Sequence, residues 1–233
     1  MSKNLSCSLR TSPKRGFSLV ELLVVLSIIS IITSIALMGQ STFNRSILLT
    51  NTAYSLALSM REMQALGLSS RKYAGVQDAG YGAYFGTPPL TEYTLFADTV
   101  DADAAGILVN CKVGQALAVG NPEKKPGDCL YTTGSDALIR NYVFSRGYYI
   151  NRYCAQSGAS TYCSTDASPN NLTGLHIVFV RSTTETAMTI RRNGSWVAAS
   201  QVQIYLRGGE IPDERAVCLT TVGQISVSLT TCS

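Results

Sequence analysis

From Phe17 to Met38 the chain is almost unbroken apolar sequence, 22 residues with one ionisable group, Glu21, and no proline. A helix rises 1.5 Å per residue, so about 20 such residues cross a bilayer core. The run therefore predicts a membrane-spanning helix with Glu21 near one end. Beyond it, Ser41 to Lys72 also lacks proline. There Ile47, Tyr54, Leu58, Ala65 and Leu68 recur at steps of three, four or seven, the spacing of one helical face. Asn44, Asn51, Ser55, Arg61 and Glu62 fall largely on other faces. The pattern predicts one long helix from Phe17 to about Ser70, roughly 80 Å in length. Its first half is apolar all round, and its second half is amphipathic and needs a globular partner. Gly39 and Gly67 are its weak points, each costing about 1 kcal/mol relative to alanine.

From Gly75 the period changes to short β-like runs. These are Tyr81–Phe85, Tyr93–Ala97, Asn141–Phe144, Tyr148–Asn151, Leu175–Arg181, Met188–Arg192, Gln201–Arg207, Ala216–Thr220 and Gln224–Leu229. Turn-forming stretches separate them, among them Gly86-Thr87-Pro88-Pro89, Ser168-Pro169-Asn170-Asn171 and Arg192-Asn193-Gly194. Thr221-Val222-Gly223 suits the turn of a final hairpin. One long helix followed by antiparallel strands is an α+β layout. Asp98 to Gly134 is the least regular stretch and reads as an inserted loop pinned by Cys111 and Cys129.

Charge sharpens the topology. The formal net charge is +4. Lys3, Arg10, Lys14 and Arg15 lie in the first 16 residues, which hold no acid, and the remainder is formally neutral. The basic balance therefore belongs to the N-terminal end and is no sign of nucleic-acid affinity. By the positive-inside rule those cations keep the N-terminus cytoplasmic and put everything after Met38 outside. Six cysteines follow the span: Cys111, Cys129, Cys154, Cys163, Cys218 and Cys232. An even number in such a compartment predicts disulfides, with 15 possible connectivities. Pairing of sequence neighbours, Cys111–Cys129, Cys154–Cys163 and Cys218–Cys232, is the simplest. A zinc site has little support, because there is no C-x-x-C and His176 is the only histidine.

Arg15-Gly16-Phe17-Ser18-Leu19-Val20-Glu21 resembles the prepilin motif of type IV pilins and type II secretion pseudopilins. The resemblance implies a leader at residues 1–16, cut between Gly16 and Phe17 by a prepilin peptidase, and N-methylation of Phe17. It implies a transmembrane and assembly segment at 17–39, the amphipathic half of the helix at 40–74, and a disulfide-stapled, β-rich pilin domain at 75–233. In that family the glutamate, here Glu21, pairs with the terminal amine of a neighbouring subunit. The implied partners are other pilin or pseudopilin subunits, the prepilin peptidase/methyltransferase and the inner membrane. Physical chemistry agrees, since a bare carboxylate in hydrocarbon must protonate or find a cation. Cleavage would create an ammonium at Phe17, one helical turn from Glu21. Two plainer readings compete: a secretory signal ending at Ser34-Ile35-Ala36, and a simple anchor. The first has an apolar region too long for a signal peptide, and neither explains Gly-Phe and Glu at this spacing.

A second resemblance is to H-type pseudopilins and FimT-like minor pilins. It rests on Gly80-Tyr81-Gly82-Ala83-Tyr84-Phe85, Leu95-Phe96-Ala97-Asp98, Val217-Cys218 and Gly223-Gln224-Ile225-Ser226-Val227. Some FimT-like members contact DNA through basic residues near the C-terminus, whereas this chain has no Lys or Arg after Arg215. The tip pseudopilin typically lacks the membrane glutamate that Glu21 supplies here.

Other constellations have bland counterparts. Arg140 to Tyr153 interleaves aromatics with arginines, which suits a nucleic-acid or glycan surface. It equally suits a hairpin turning at Arg146-Gly147 with its aromatics packed on one face. Asp98, Asp101 and Asp103 form D-x-x-D-x-D, a set of oxygens that can hold calcium or simply cap turns. Ser69-Ser70-Arg71-Lys72 satisfies S-x-x-K without its usual companion motifs. His176 alternates into an apolar strand as a structural residue, and Trp196 is either a packed residue or an exposed anchor. No catalytic, cofactor-binding or metal-ligating residues are expected, and nucleic acid is not expected as a partner. The sequence reads as a structural subunit of a type IV pilus or type II secretion pseudopilus. The alternative is a pilus-borne receptor for DNA or a surface ligand, using Arg140–Tyr153.

Overall fold

Helix α1 runs from Leu19 to Leu68 in the computed structural model, which describes residues 16–69, 72–73, 75–76, 79–103, 105–111, 113–114, 118–120, 127–145, 147–180, 184–208 and 213–232. The expected leader up to Arg15, and Ser70, Arg71 and Arg146, lie outside the described residues. Ser18 supplies the carbonyl for the first intrahelical bond, from Leu22 N at 3.1 Å, a boundary position at which serine is favoured. At the other end Ser69 N reaches the carbonyls of Ala65 and Leu66 at 3.1 and 3.0 Å. The chain divides into two units, Met1–Phe43 and Asn44–Ser233.

In the first unit, Leu19–Leu37 has a mean hydropathy of 2.5 and none of it is buried. By length and composition it can cross a membrane. Its hydroxyls are returned to the helix backbone. Ser27, Ser30 and Ser34 each donate to the carbonyl four residues back at 2.8 Å, and Thr33 does so to Ile29. A span can carry polar side chains in hydrocarbon only if they are satisfied in this way or by a neighbour.

The second unit combines the rest of α1 with thirteen strands: β1 (Gly80–Phe85), β2 (Glu92–Asp98), β3 (Val109–Asn110), β4 (Ala118–Val119), β5 (Ala137–Val143), β6 (Tyr148–Ser157), β7 (Ser160–Cys163), β8 (Leu172–Phe179), β9 (Thr186–Arg192), β10 (Ser195–Ala198), β11 (Gln201–Gly208), β12 (Glu214–Thr220) and β13 (Ile225–Ser228). They form a six-stranded sheet in the order β10-β9-β8-β1-β2-β5, a five-stranded sheet in the order β13-β12-β11-β6-β7, and the small β3-β4 pair. All pairings between these strands are antiparallel. The α+β expectation holds. β8 is buried at seven of its eight positions, as a central strand covered on both faces should be, whereas edge strand β5 is only partly covered.

One apolar core joins Leu49, Ala53, Leu56, Met60 and Met63 of α1 to residues of both sheets, among them Phe85, Leu95, Ile177, Ile150, Ile204 and Leu219. This corrects the expected helix face. Ile47, Tyr54, Leu58 and Leu68 are exposed, and the buried stripe is the one through Leu49, Leu56, Met60 and Met63. Both stripes have helical spacing, so periodicity alone leaves the phase undecided. Polar bonds fix it. Tyr93 Oη lies 2.9 Å from Ser59 Oγ, Arg61 donates to Ile225 O, and Gln64 donates to Gly223 O. Arg215 donates to Thr50 Oγ1 and Ser46 Oγ. Gly67 is no mere weak point, since a Cβ there would lie 2.8 Å from the carbonyl oxygen of Phe179. Glycine lets the end of the helix approach β8 this closely.

The hairpin expected at Arg146-Gly147 does not form. β5 belongs to the six-stranded sheet and β6 to the five-stranded one, so this segment carries the chain from one sheet to the other. Disulfides join Cys111 to Cys129, Cys154 to Cys163 and Cys218 to Cys232, over separations of 18, 9 and 14 residues.

Candidate functional site

The N-terminal segment presents its chemistry openly. Nothing lies within 4 Å of a Cβ placed on Gly16, Phe17 is 78% exposed, and both precede the first helical residue. An unhindered, non-helical backbone is what a peptidase needs around a scissile bond. Glu21 sits exposed in the first turn of α1, where the helix dipole favours an anion. An amine freed at Phe17 would stand four residues before it in the chain, just ahead of the first helical turn. Below Glu21, Leu22, Leu23, Val24, Val25, Leu26, Ile28 and Ile29 are each at least 44% exposed. The helix therefore offers its whole circumference to lipid or to other helices.

The aromatic–arginine stretch is taken apart by the fold. Tyr142 and Phe144 gather around Tyr93, with ring centroids 5.0 and 5.5 Å away. Tyr148, Ile150 and Tyr153 are buried, and Tyr153 donates from its hydroxyl to Gly86 O at 3.0 Å. Arg140 pairs with Glu62 of α1 at 2.9 Å. Arg152 pairs with Glu214 at 3.0 Å and lies 4.1 Å above the Tyr205 ring. No shared face of stacked rings and free cations results from these residues.

His176 is a core residue. Its Nδ1 accepts from Tyr131 N at 2.8 Å, its ring packs 4.8 Å from Tyr84 and 5.0 Å from Trp196, and Nε2 is buried without a partner. Burial, aided by nearby Arg191, pushes its pKa down to about 3, so the imidazole is neutral. Trp196 is half-buried against His176, with the Arg191 guanidinium 5.5 Å from its ring. It is a packed residue.

The aspartates regroup. Asp103 Oδ1 accepts from Ala105 N and Ile107 N and so shapes a turn, whereas Asp101 Oδ1 accepts from Gly127 N at 2.7 Å and ties the segment after β2 to the residue before Asp128. Asp98 is instead brought together with Asp128 and Asp136, all three buried, with one ligand oxygen from each lying within 4.8 Å of the others. Burial raises the Asp98 pKa, helped by repulsion from Asp128 and Asp136. It pushes Asp128 up to about 7 and raises Asp136 as well. Asp128 and Asp136 stand 30 and more residues from Asp98 in the chain, and no local spacing announces the meeting. Only the nearness of Asp128 to Cys129, in a stretch already expected to be pinned, pointed toward it.

Residues 11–37 match the family model described as the prokaryotic N-terminal methylation motif. The match takes in Gly16, Phe17, Glu21 and the apolar span. It supports a type IV pilin-like precursor of the kind that prepilin peptidase processes. No curated protein and no solved structure matches the chain.

Proposed function

We propose that the chain is a minor pilin or pseudopilin, a structural subunit of a type IV pilus or a type II secretion pseudopilus. One observation carries this reading: the methylation motif at residues 11–37 coincides with an open Gly16–Phe17 bond, Glu21 one turn later, and a helix apolar on every side. The precursor is cut between Gly16 and Phe17, and the new terminus is methylated. The helix waits in the inner membrane, with the sheet-bearing unit outside the cytoplasm, until neighbours receive it. Glu21 sets the register. Its charge in hydrocarbon is answered only when a neighbouring Phe17 ammonium comes level with it. Apolar packing between helices is permissive by comparison. The residues resembling H-type pseudopilins and FimT-like minor pilins fall in β1, β2, β12, β13 and the turn before β13, and we assign the subunit to that group.

Intact mass spectrometry of protein from cells tests the processing, with a chain starting at methylated Phe17 as the expected result. A start at Met1, or beyond Ala36, overturns it. Glu21→Ala tests the register. The variant should be processed and retained in membranes at the wild-type level, while its share in sheared filaments falls about tenfold. Undiminished incorporation removes Glu21 from the role. The receptor alternative drew on Arg140–Tyr153, and no feature among the described residues of that divided segment favours it.

A further inference from the structure

We propose that Asp98, Asp128 and Asp136 form a binding site for one calcium ion, which clamps the segment between β2 and β5. Asp98 is the last residue of β2, and Asp136 immediately precedes β5, its partner in the sheet. Asp128 lies on the intervening loop, next to the Cys111–Cys129 disulfide. Three carboxylates thus reach one buried point from two neighbouring strands and a cross-linked loop.

Their carboxyl oxygens accept from backbone N–H groups. Asp98 accepts from Asp128 N at 3.1 Å and Cys129 N at 2.7 Å. Asp136 accepts from Thr99 N, Val100 N and Thr132 N at 2.9, 3.2 and 2.7 Å. Asp128 Oδ1 accepts from Leu130 N at 2.9 Å. Donation by backbone N–H groups favours the charged form of a carboxylate. Among the described residues no hydrogen bond links the three carboxylates to one another, as a shared proton would, and no ion pair answers them. Asp128 is fully buried, yet its Oδ2 has no partner. A buried, unanswered oxygen beside two other carboxylates calls for a cation.

The donors select the metal. All are oxygens, which suits a hard cation rather than zinc or copper. One oxygen from each lies within 4.8 Å of the others, close enough for ligands about 2.3–2.6 Å from a single calcium, and calcium accepts a flexible, carboxylate-rich set where magnesium demands a near-ideal octahedron and keeps several waters. Carbonyls and water can complete the 6–8 oxygens that calcium takes. Gly127 shows how closely the loop closes on the site. Its φ is +108°, and a Cβ there would lie 2.6 Å from Asp98 Oδ2.

The test uses the full chain, purified in detergent and stripped with EDTA, and titrated calorimetrically with calcium chloride or magnesium chloride. Calcium should bind with one equivalent, at least tenfold more tightly than magnesium, and raise the Tm by several degrees. Asp128→Asn preserves shape and the Leu130 bond, and should weaken calcium binding at least tenfold while leaving a folded protein by circular dichroism. Glu92→Gln, an exposed change on β2, should bind as wild type does. Absence of calcium-dependent heat and Tm shift in the wild type overturns the proposal, as does unchanged affinity in Asp128→Asn. A rise in the Tm of EDTA-stripped Asp128→Asn with no response to calcium assigns the cluster to protons and also overturns it.

Discussion

The two halves of α1 share a secondary structure but not a source of stability. In Leu19–Leu37 no side chain is buried within the protein, so internal packing does not hold that helix. It is held by its own backbone bonds, and in lipid those bonds cannot be traded for water. In the second half, Leu49, Ala53, Leu56, Met60 and Met63 disappear into a core shared with two sheets, and the helix persists because of what it covers. The first half keeps its apolar surface for partners outside this chain, whereas the second has already committed one stripe of its own. The same residue type therefore carries different information in each half. A leucine in the first half bears on membrane and assembly, and a buried leucine in the second bears on folding.

The largest effect should come from truncating the committed stripe. Leu56→Ala removes a fully buried side chain and should cost about 2–5 kcal/mol in urea denaturation of the sheet-bearing unit. Leu58→Ala, two residues on and 59% exposed, should stay within about 0.5 kcal/mol of wild type. Equal losses would erase the distinction between the two stripes. Acid should separate the halves next, because only the second unit encloses a histidine. With the folded His176 pKa near 3, below its unfolded value of about 6.5, the unfolded chain binds the extra proton. The His176 contribution to stability is thus full above about pH 6.5 and falls below it by up to about 1.4 kcal/mol per pH unit until the folded pKa is approached, while the buried Asp98, Asp128 and Asp136, with raised pKa values, act in the opposite direction. His176→Phe should remove the histidine's component, so that the variant loses less stability than wild type between about pH 6.5 and about pH 4. The smallest effect is expected at the Arg140–Glu62 pair between β5 and α1, in which both side chains are 50% exposed. Glu62→Gln should cost about 0–1 kcal/mol, and less in high salt.

How legible each part was depended on whether its signal was local. The long helix was readable because an apolar run and the absence of proline persist from Phe17 onward. Central strands such as β8 were readable because L-H-I-V-F is apolar and β-branched over consecutive positions. Edge strands β7 and β10 were missed, since S-T-Y-C and S-W-V-A are short and take their pairing from β6 and β9. The phase of α1 was misjudged because Ile47, Tyr54 and Leu58 imitate a core stripe, and only the sheets decide which stripe is covered. Asp98 was noticed for its neighbours Asp101 and Asp103, yet its real company comes from across the fold. The N-terminal segment lies at the other extreme, for Gly16, Phe17 and Glu21 carry their meaning within six residues and need no tertiary structure to be recognised.

Each of the three sulfur bridges closes on the next cysteine along the chain: 111 with 129, 154 with 163, and 218 with 232. A domain passed into an oxidising space from its membrane-anchored end onward would release these thiols two by two. Every thiol would encounter its proper mate before any later one had arrived. The order of export would then suffice to choose one pattern out of fifteen, with no reshuffling afterwards.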